Sequence, residues 1–192
     1  MRVCKRFENA TLDNYVCESE TQKKLVAAIK DGIQNGFKQN ILLIGAVGTG
    51  KTHLAYAVLN ALAERYKISN GQEYYRENEV VYRPIKAIID EIKDAWNRHE
   101  TPDREQFCEV PLLIIDEIGV QYGTDSERTE MYEVFNRRYE NMLPIIAISN
   151  HDEKALQRIL GQRIFDRLTG GALIFELAGK SFRQKGVNNG RN

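Results

Sequence analysis

The sequence predicts an α/β domain with a mostly parallel central sheet, on three observations. Wholly apolar runs at 41–44, 112–115 and 145–148 have the length of strands buried on both faces. Stretches with apolar residues at helical spacing alternate with them, as crossover helices do in such a sheet. The first run feeds a glycine-rich turn that opens a helix, Gly45-Ala46-Val47-Gly48-Thr49-Gly50-Lys51-Thr52, with the G-x-x-x-x-G-K-T spacing of a phosphate-binding loop.

The elements follow in order. Residues 1–17 are irregular, with Phe7 and Tyr15 as aromatic anchors. Ser19-Glu20-Thr21-Gln22 has the form of a capping box; Leu25, Val26, Ile29 and Ile33 then recur at helical spacing, and Gly36 supplies a stop. After the strand at 41–44 and the glycine-rich turn, a helix carries Leu54, Val58, Ala61 and Leu62 on one face. Ser69-Asn70-Gly71 signals a turn, and 69–79 is expected to be the loosest part of the domain. Val80-Val81-Tyr82 reads as a short strand, and Pro84 suits the opening of the next helix. Ile85, Ile88, Ile89, Ile92 and Trp96 make a buried stripe. A polar loop is expected over 98–109, then the strand at 112–115. Thr124-Asp125-Ser126-Glu127 forms a second capping box, ahead of a helix with Met131, Phe135 and Tyr139 inward. The strand at 145–148, short helices over 152–160 and 162–168, and a last strand over 173–177 complete the domain. The domain is expected over 1–183, with a flexible tail over 184–192.

Bulk properties narrow the function. With 192 residues, one domain with a full core is expected. Lys+Arg and Asp+Glu are 27 each, so there is no global basic field and any nucleic-acid surface must be local. No apolar run approaches the roughly 20 residues needed to span a bilayer, and Met-Arg-Val-Cys-Lys-Arg-Phe at the start does not resemble a signal peptide. Cys4, Cys17 and Cys108 make neither a disulfide framework nor a paired zinc motif, which points to a reducing, cytoplasmic setting.

The candidate site residues come from the ends of the apolar runs. Glycines let the loop wrap an anion, and its N–H groups lead into a helix N-terminus that favours phosphate. The expected nucleotide contacts are Gly45, Ala46, Val47, Gly48, Thr49, Gly50, Lys51, Thr52 and His53. Lys51 places a point charge on the β- and γ-phosphates, and the Thr52 hydroxyl suits Mg²⁺. The run 112–115 ends in Asp116-Glu117, at the carboxyl end of a strand where ligands bind in open α/β sheets. Asp116 suits the carboxylate that holds Mg²⁺, and Glu117 is placed to polarise the attacking water. Asn150, after the third run, is a polar amide on the same edge that suits the γ-phosphate or the water.

These blocks resemble Walker A, Walker B and sensor 1 of AAA+ ATPases. The finer text, Asp116-Glu117-Ile118-Gly119-Val120-Gln121, Glu127-Arg128, Asn136-Arg137-Arg138-Tyr139-Glu140, Ile148-Ser149-Asn150, Leu160-Gly161-Gln162-Arg163-Ile164-Phe165-Asp166-Arg167-Leu168 and Ser181-Phe182-Arg183, resembles the DnaC-type replicative helicase loaders. The resemblance covers nearly the whole chain. It implies a three-layer P-loop AAA+ domain that hydrolyses ATP with Mg²⁺, forms homo-oligomers on ATP binding, and acts on a replicative DNA helicase and single-stranded DNA. By position it makes Arg167 the arginine finger reaching a neighbour's ATP, with Arg163 able to share or hold that role, and Arg183 the sensor 2 arginine. The strand before the phosphate loop begins near residue 40, which leaves no room for the helicase-gripping N-terminal domain of such loaders. Helicase contact is therefore expected through a missing domain or another surface. Lys86, Lys93 and Arg98, with Tyr82 and Trp96 nearby, lie where the loaders carry a motif facing single strands; Trp96 also continues the apolar stripe, which is its plainer reading. Alternatives are an IstB-like transposition ATPase, a nucleotide-gated protein-binding module with incidental hydrolysis, and a small P-loop kinase, against which Glu117 and Asn150 argue.

Overall fold

The computed structural model describes residues 4–67, 73–76, 79–120, 124–179 and 182. After a short 3₁₀ turn at Lys5–Phe7 come α1 (Glu20–Asn35), β1 (Ile41–Gly45), α2 (Lys51–Leu62), β2 (Glu64–Lys67), β3 (Glu73–Arg76), β4 (Val80–Pro84) and α3 (Ile85–Asn97). Then follow α4 (Glu105–Cys108), β5 (Leu112–Ile118), α5 (Asp125–Glu140), β6 (Ile145–Ser149), α6 (Glu153–Leu160), α7 (Gln162–Thr169) and β7 (Leu173–Leu177). The main sheet has the order β4-β5-β6-β1-β7, with every pairing parallel.

Helices cover both faces, which is why the strands read as unbroken apolar runs. Leu42, Ile44, Val81, Leu113, Ile115, Ile145 and Ala147 pack with residues of α3 to α7, including Ile88, Phe107, Phe135, Leu156 and Leu168. Ile41, Leu43, Val80, Tyr82, Leu112, Ile114, Ile146 and Ile148 pack on the other side with Leu25 and Ile29 of α1 and Leu54 and Val58 of α2. Both capping boxes form as read: Ser19 with Gln22 and Thr124 with Glu127 satisfy the first amides of α1 and α5. Gly36, at φ +81°, ends α1. The side chain of Asn40 joins three segments at the start of the sheet. Its amide donates to the carbonyls of Arg167 and Leu168 at 3.2 and 2.9 Å, closing the end of α7, and its oxygen accepts from Ile145 N at 2.8 Å.

The structure departs from the sequence reading at several places. Ala61 is exposed, whereas residues 54–59 of α2 are all buried, because the N-terminal segment covers the side of α2 away from the sheet; Phe7 stacks on Tyr56 at 5.0 Å. Within the span expected to be loose, β3 pairs antiparallel with β2, while the turn signal at 69–71 lies outside the described residues. The polar stretch at 98–109 contains α4, whose Phe107 and Cys108 are fully buried. Trp96 is 39% exposed on the last turn of α3, and burial passes to Ala95. Tyr139 is 58% exposed, and its neighbour Arg138 is the residue inside. The tail at 184–192 lies outside the described residues.

Arg138 is buried for a reason that no aromatic could meet. Its guanidinium donates to the carbonyls of Phe107, Val110 and Pro144 at 2.8 to 2.9 Å, acceptors at the end of α4, in the turn before β5 and just before β6; the Pro144 carbonyl also takes Leu113 N of β5, at 3.4 Å. Burial pushes its pKa down to about 10, so it stays cationic at neutral pH. Arg138→Met should keep the stem, strip the donor from the Phe107 and Val110 carbonyls, and leave Pro144 O only the long bond from Leu113 N. We expect a loss of at least about 2 kcal/mol, read as a lower urea midpoint with an unchanged slope.

Candidate nucleotide-binding site

A cleft of about 550 Å³ opens at the carboxyl ends of β1, β5 and β6. Because β6 lies between β1 and β5, the residues that end these three strands meet on one sheet edge. The cleft is lined by Val47, Gly48, Gly50, Lys51, Thr52 and His53 from the loop and α2, and by Asp116, Glu117 and Asn150. These expected residues of the three segments are brought together, while Gly45, Ala46 and Thr49 belong to the loop but do not line the cleft.

The loop takes its shape from glycines at positive φ: +137° at Gly45, +87° at Gly48 and +92° at Gly50. Two of them have no room for a side chain. A Cβ on Gly45 would stand 2.2 Å from the Leu177 carbonyl oxygen, and one on Gly50 would stand 2.6 Å from the Tyr15 ring. Lys51 is 5% exposed and folds back over the loop, donating to the carbonyls of Gly45 and Ala46 at 2.6 and 2.7 Å. Its ammonium thus already lies inside the curl of the loop. Thr49 closes the curl, its hydroxyl donating to Ala46 O at 3.0 Å. Val47 is 54% exposed at the mouth. His53 turns toward the N-terminal segment, with Nε2 3.1 Å from Thr11 O and its ring beside Tyr15.

Asp116 is the electrostatic centre. It is 3% exposed and, among the described residues, accepts three hydrogen bonds. Oδ2 takes the Thr52 hydroxyl and the Tyr82 hydroxyl, each at 3.0 Å, and Oδ1 takes the Glu117 amide at 2.7 Å. Burial, and then the Asp116 charge, push the Tyr82 phenol strongly upward, so it remains a donor. Glu117 is exposed and has φ +58°, a left-handed conformation in which a glutamate is strained. That kink ends the regular part of β5 and turns the Glu117 side chain into the cleft rather than along the sheet. On β6, Ser149 donates to Ile118 O at 2.6 Å and accepts from His151 N at 3.1 Å, which fixes the turn that presents exposed Asn150 to the cleft.

The arginines lie elsewhere. Arg167 belongs to a second hollow, of about 360 Å³, that it shares with Asn40 and Ile145 at the strand starts, on the edge opposite the cleft. It donates to Asn136 Oδ1, to Tyr132 Oη and to Arg163 O at 2.8, 3.2 and 3.1 Å, and it stacks over the rings of Tyr132 and Tyr139. Arg163 is exposed one turn earlier on α7. Neither can complete its own subunit's cleft. Arg183 lies outside the described residues.

Other features were not legible as site components. Arg6, Phe7, Asn14, Tyr15 and Val16 wall the cleft beside Phe182, whose N–H donates to Gly48 O at 3.0 Å. Their signal was limited to two aromatics in an irregular stretch. The surface around α3 is less cationic than its residue types suggest. Lys86 pairs with Asp90, Lys93 with Glu127 and Arg98 with Glu100, while Tyr82 is buried against Asp116.

A phosphate loop, an acidic strand end and a polar strand end between them define a P-loop ATP-binding domain of the AAA+ type. The chain belongs to the IstB-like ATP binding protein family, which it matches over residues 1–189. The replicative helicase loader DnaC of Buchnera aphidicola subsp. Baizongia pistaciae (strain Bp) is 31% identical over 187 residues, covering 93% of this chain and 71% of that protein. The replicative helicase loader DnaC of Escherichia coli (strain K12) is 27% identical over 169 residues, covering 85% and 64%. The resemblance to DnaC-type loaders read from the sequence blocks is therefore met among its relatives. The chain spans about two thirds of their length, from 61% to 71% of each of the first three. Among solved structures, the DnaC helicase loader superposes with TM-score 0.75 at 21% identity, over 91% of this chain and 100% of that one. AMPPCP-bound DnaA from Aquifex aeolicus gives 0.71 at 23%, over 94% and 54%. At these identities the superpositions speak for the fold. Among the described residues, no helix is long and apolar enough to cross a membrane.

Gly45 carries a sharp expectation. Gly45→Ala would drive a methyl into the Leu177 carbonyl while imposing a positive φ on alanine. A thermal or urea melt should show a loss of about 2 kcal/mol or more, together with weakened nucleotide binding.

Proposed function

We propose that this chain binds ATP with Mg²⁺, hydrolyses it, and acts as a replication protein of the helicase-loader kind on a replicative helicase and single-stranded DNA. One observation carries the enzymatic part: Lys51, Thr52, Asp116, Glu117 and Asn150, from three separate strand ends, line a single cleft. Lys51 leaves the Gly45 and Ala46 carbonyls for the β- and γ-phosphates, exchanging neutral acceptors for charged ones. The hard oxygens of Thr52 and Asp116, 3.0 Å apart, fit Mg²⁺. When bound, Mg²⁺ neutralises charge on the phosphate oxygens. Glu117 takes the proton of the attacking water, and Asn150 orients that water or the γ-phosphate. Arg167, or Arg163 beside it, serves the site of the next subunit; their distance from their own cleft supports a role in trans. The resemblance gives Arg183 the sensor 2 role.

The helicase and DNA parts rest on the DnaC relatives. The paired cations of α3 give little support to a single-strand surface there. The family description favours one alternative, a transposition ATPase of the IstB kind. Pull-down with a replicative helicase against a transposase separates the two. Turnover measured with and without single-stranded DNA separates an enzyme from a nucleotide-gated binding module.

Glu117→Gln keeps the size and a polar group that can hydrogen-bond but cannot accept a proton. ATP should still bind while turnover falls about 10²-fold or more, and unchanged turnover would remove the base assignment. Mixing tests the composite site. Lys51→Ala subunits, unable to hold ATP, can lend Arg167, and Arg167→Ala subunits can hold ATP. Mixed oligomers should hydrolyse faster than the sum of the separate variants; if gel filtration shows mixed assemblies with no such gain, the site lies within one chain.

A further inference from the structure

We propose that Tyr82 is a positioning residue for the Asp116 carboxylate and, through it, sets how tightly the nucleotide site takes a divalent cation. The inference rests on the nucleotide reading above and adds to it a residue of another strand. Tyr82 belongs to β4, the edge strand next to β5, and is 6% exposed. Its ring lies against Tyr56 of α2 with centroids 4.7 Å apart, and Tyr56 stacks on Phe7 at 5.0 Å. Two aromatic contacts in series therefore fix where the phenol can point. It points at Asp116 Oδ2, 3.0 Å away.

The direction of dependence follows from relative cost. A buried hydroxyl without a partner costs a few kcal/mol, but a buried carboxylate without donors costs far more. Tyr82 is thus worth more to Asp116 than the reverse. A carboxylate offers about four acceptor sites. Among the described residues, the Tyr82 and Thr52 hydroxyls and the Glu117 amide use three of them. Thr52 and Glu117 belong to segments that ligand binding engages directly. Tyr82 alone comes from a braced aromatic stack outside the phosphate loop. It holds the carboxylate plane while the other two donors adjust, and leaves one acceptor site for the cation or its water. Partners of this kind typically govern metal affinity by 10- to 100-fold.

Tyr82→Phe keeps the ring on Tyr56 and leaves Asp116 two donors, so the variant should fold; a melt of the free protein checks this. A fluorescent ATP analogue is then titrated without metal and with increasing Mg²⁺, for wild type, Tyr82→Phe and Asp116→Asn. Affinity without metal should be the same in wild type and Tyr82→Phe. The Mg²⁺ concentration for half-maximal tightening should rise about tenfold in Tyr82→Phe, and Asp116→Asn should lose the tightening. An unchanged Mg²⁺ midpoint in Tyr82→Phe, or an equal loss of metal-free affinity, overturns the inference. If the wild type binds ATP no better with Mg²⁺, or does not bind it, the underlying nucleotide reading fails instead.

Discussion

A carboxylate buried at the end of β5 governs the arrangement around it. Asp116 cannot keep its charge out of water unless donors surround it, and an uncompensated interior carboxylate would cost several kcal/mol. Those donors come from the first turn of α2, from β4, and from the strained turn that follows Asp116 itself. The position of α2 is in turn set by a loop that curls at Gly45 and Gly50 so close to Leu177 and Tyr15 that neither position has room for a side chain. The phosphate loop, the edge strand and the N-terminal segment are therefore parts of one packing problem, solved at one end of the sheet.

The other end poses the opposite problem, an excess of acceptors. Carbonyls left over where α4, α5 and α7 meet the strand starts take their protons from Arg138 and Asn40. Between the two polar ends the sheet is apolar on both faces, as a fully covered parallel sheet requires. Arg167 sits at this second end, clasped by Asn136 and stacked on two tyrosines. The separation of the expected finger from its own cleft is thus a property of topology: α7 begins after the strand that presents Asn150 and runs back to the start of β7.

What the sequence could reveal was local. Both capping boxes, the three strand runs and the phosphate loop depend on residues within a few positions of each other, and all form as read. Non-local features were missed. Tyr82 reads as one residue of a short strand until β4 is laid beside β5 and the hydroxyl meets Asp116. Arg138 and Tyr139 are adjacent, and helical period favours the aromatic inside; the carbonyls of Phe107, Val110 and Pro144, from distant segments of the chain, reverse that choice. Phe107 looked like part of a polar loop because burial there comes from α5 and not from its neighbours. Trp96 had the right period and the wrong depth, since it falls on the last turn of its helix. The N-terminal wall of the cleft carries no spacing that could announce it.

The left-handed backbone at Glu117 has an evolutionary consequence. Glycine or asparagine would occupy that conformation with less strain than glutamate. A population of variants selected for heat resistance alone would therefore drift away from glutamate at 117, toward folded proteins stripped of a carboxylate in the cleft. Retention of glutamate at such a place among sequences free to vary would mark selection acting on chemistry against the preference of the chain.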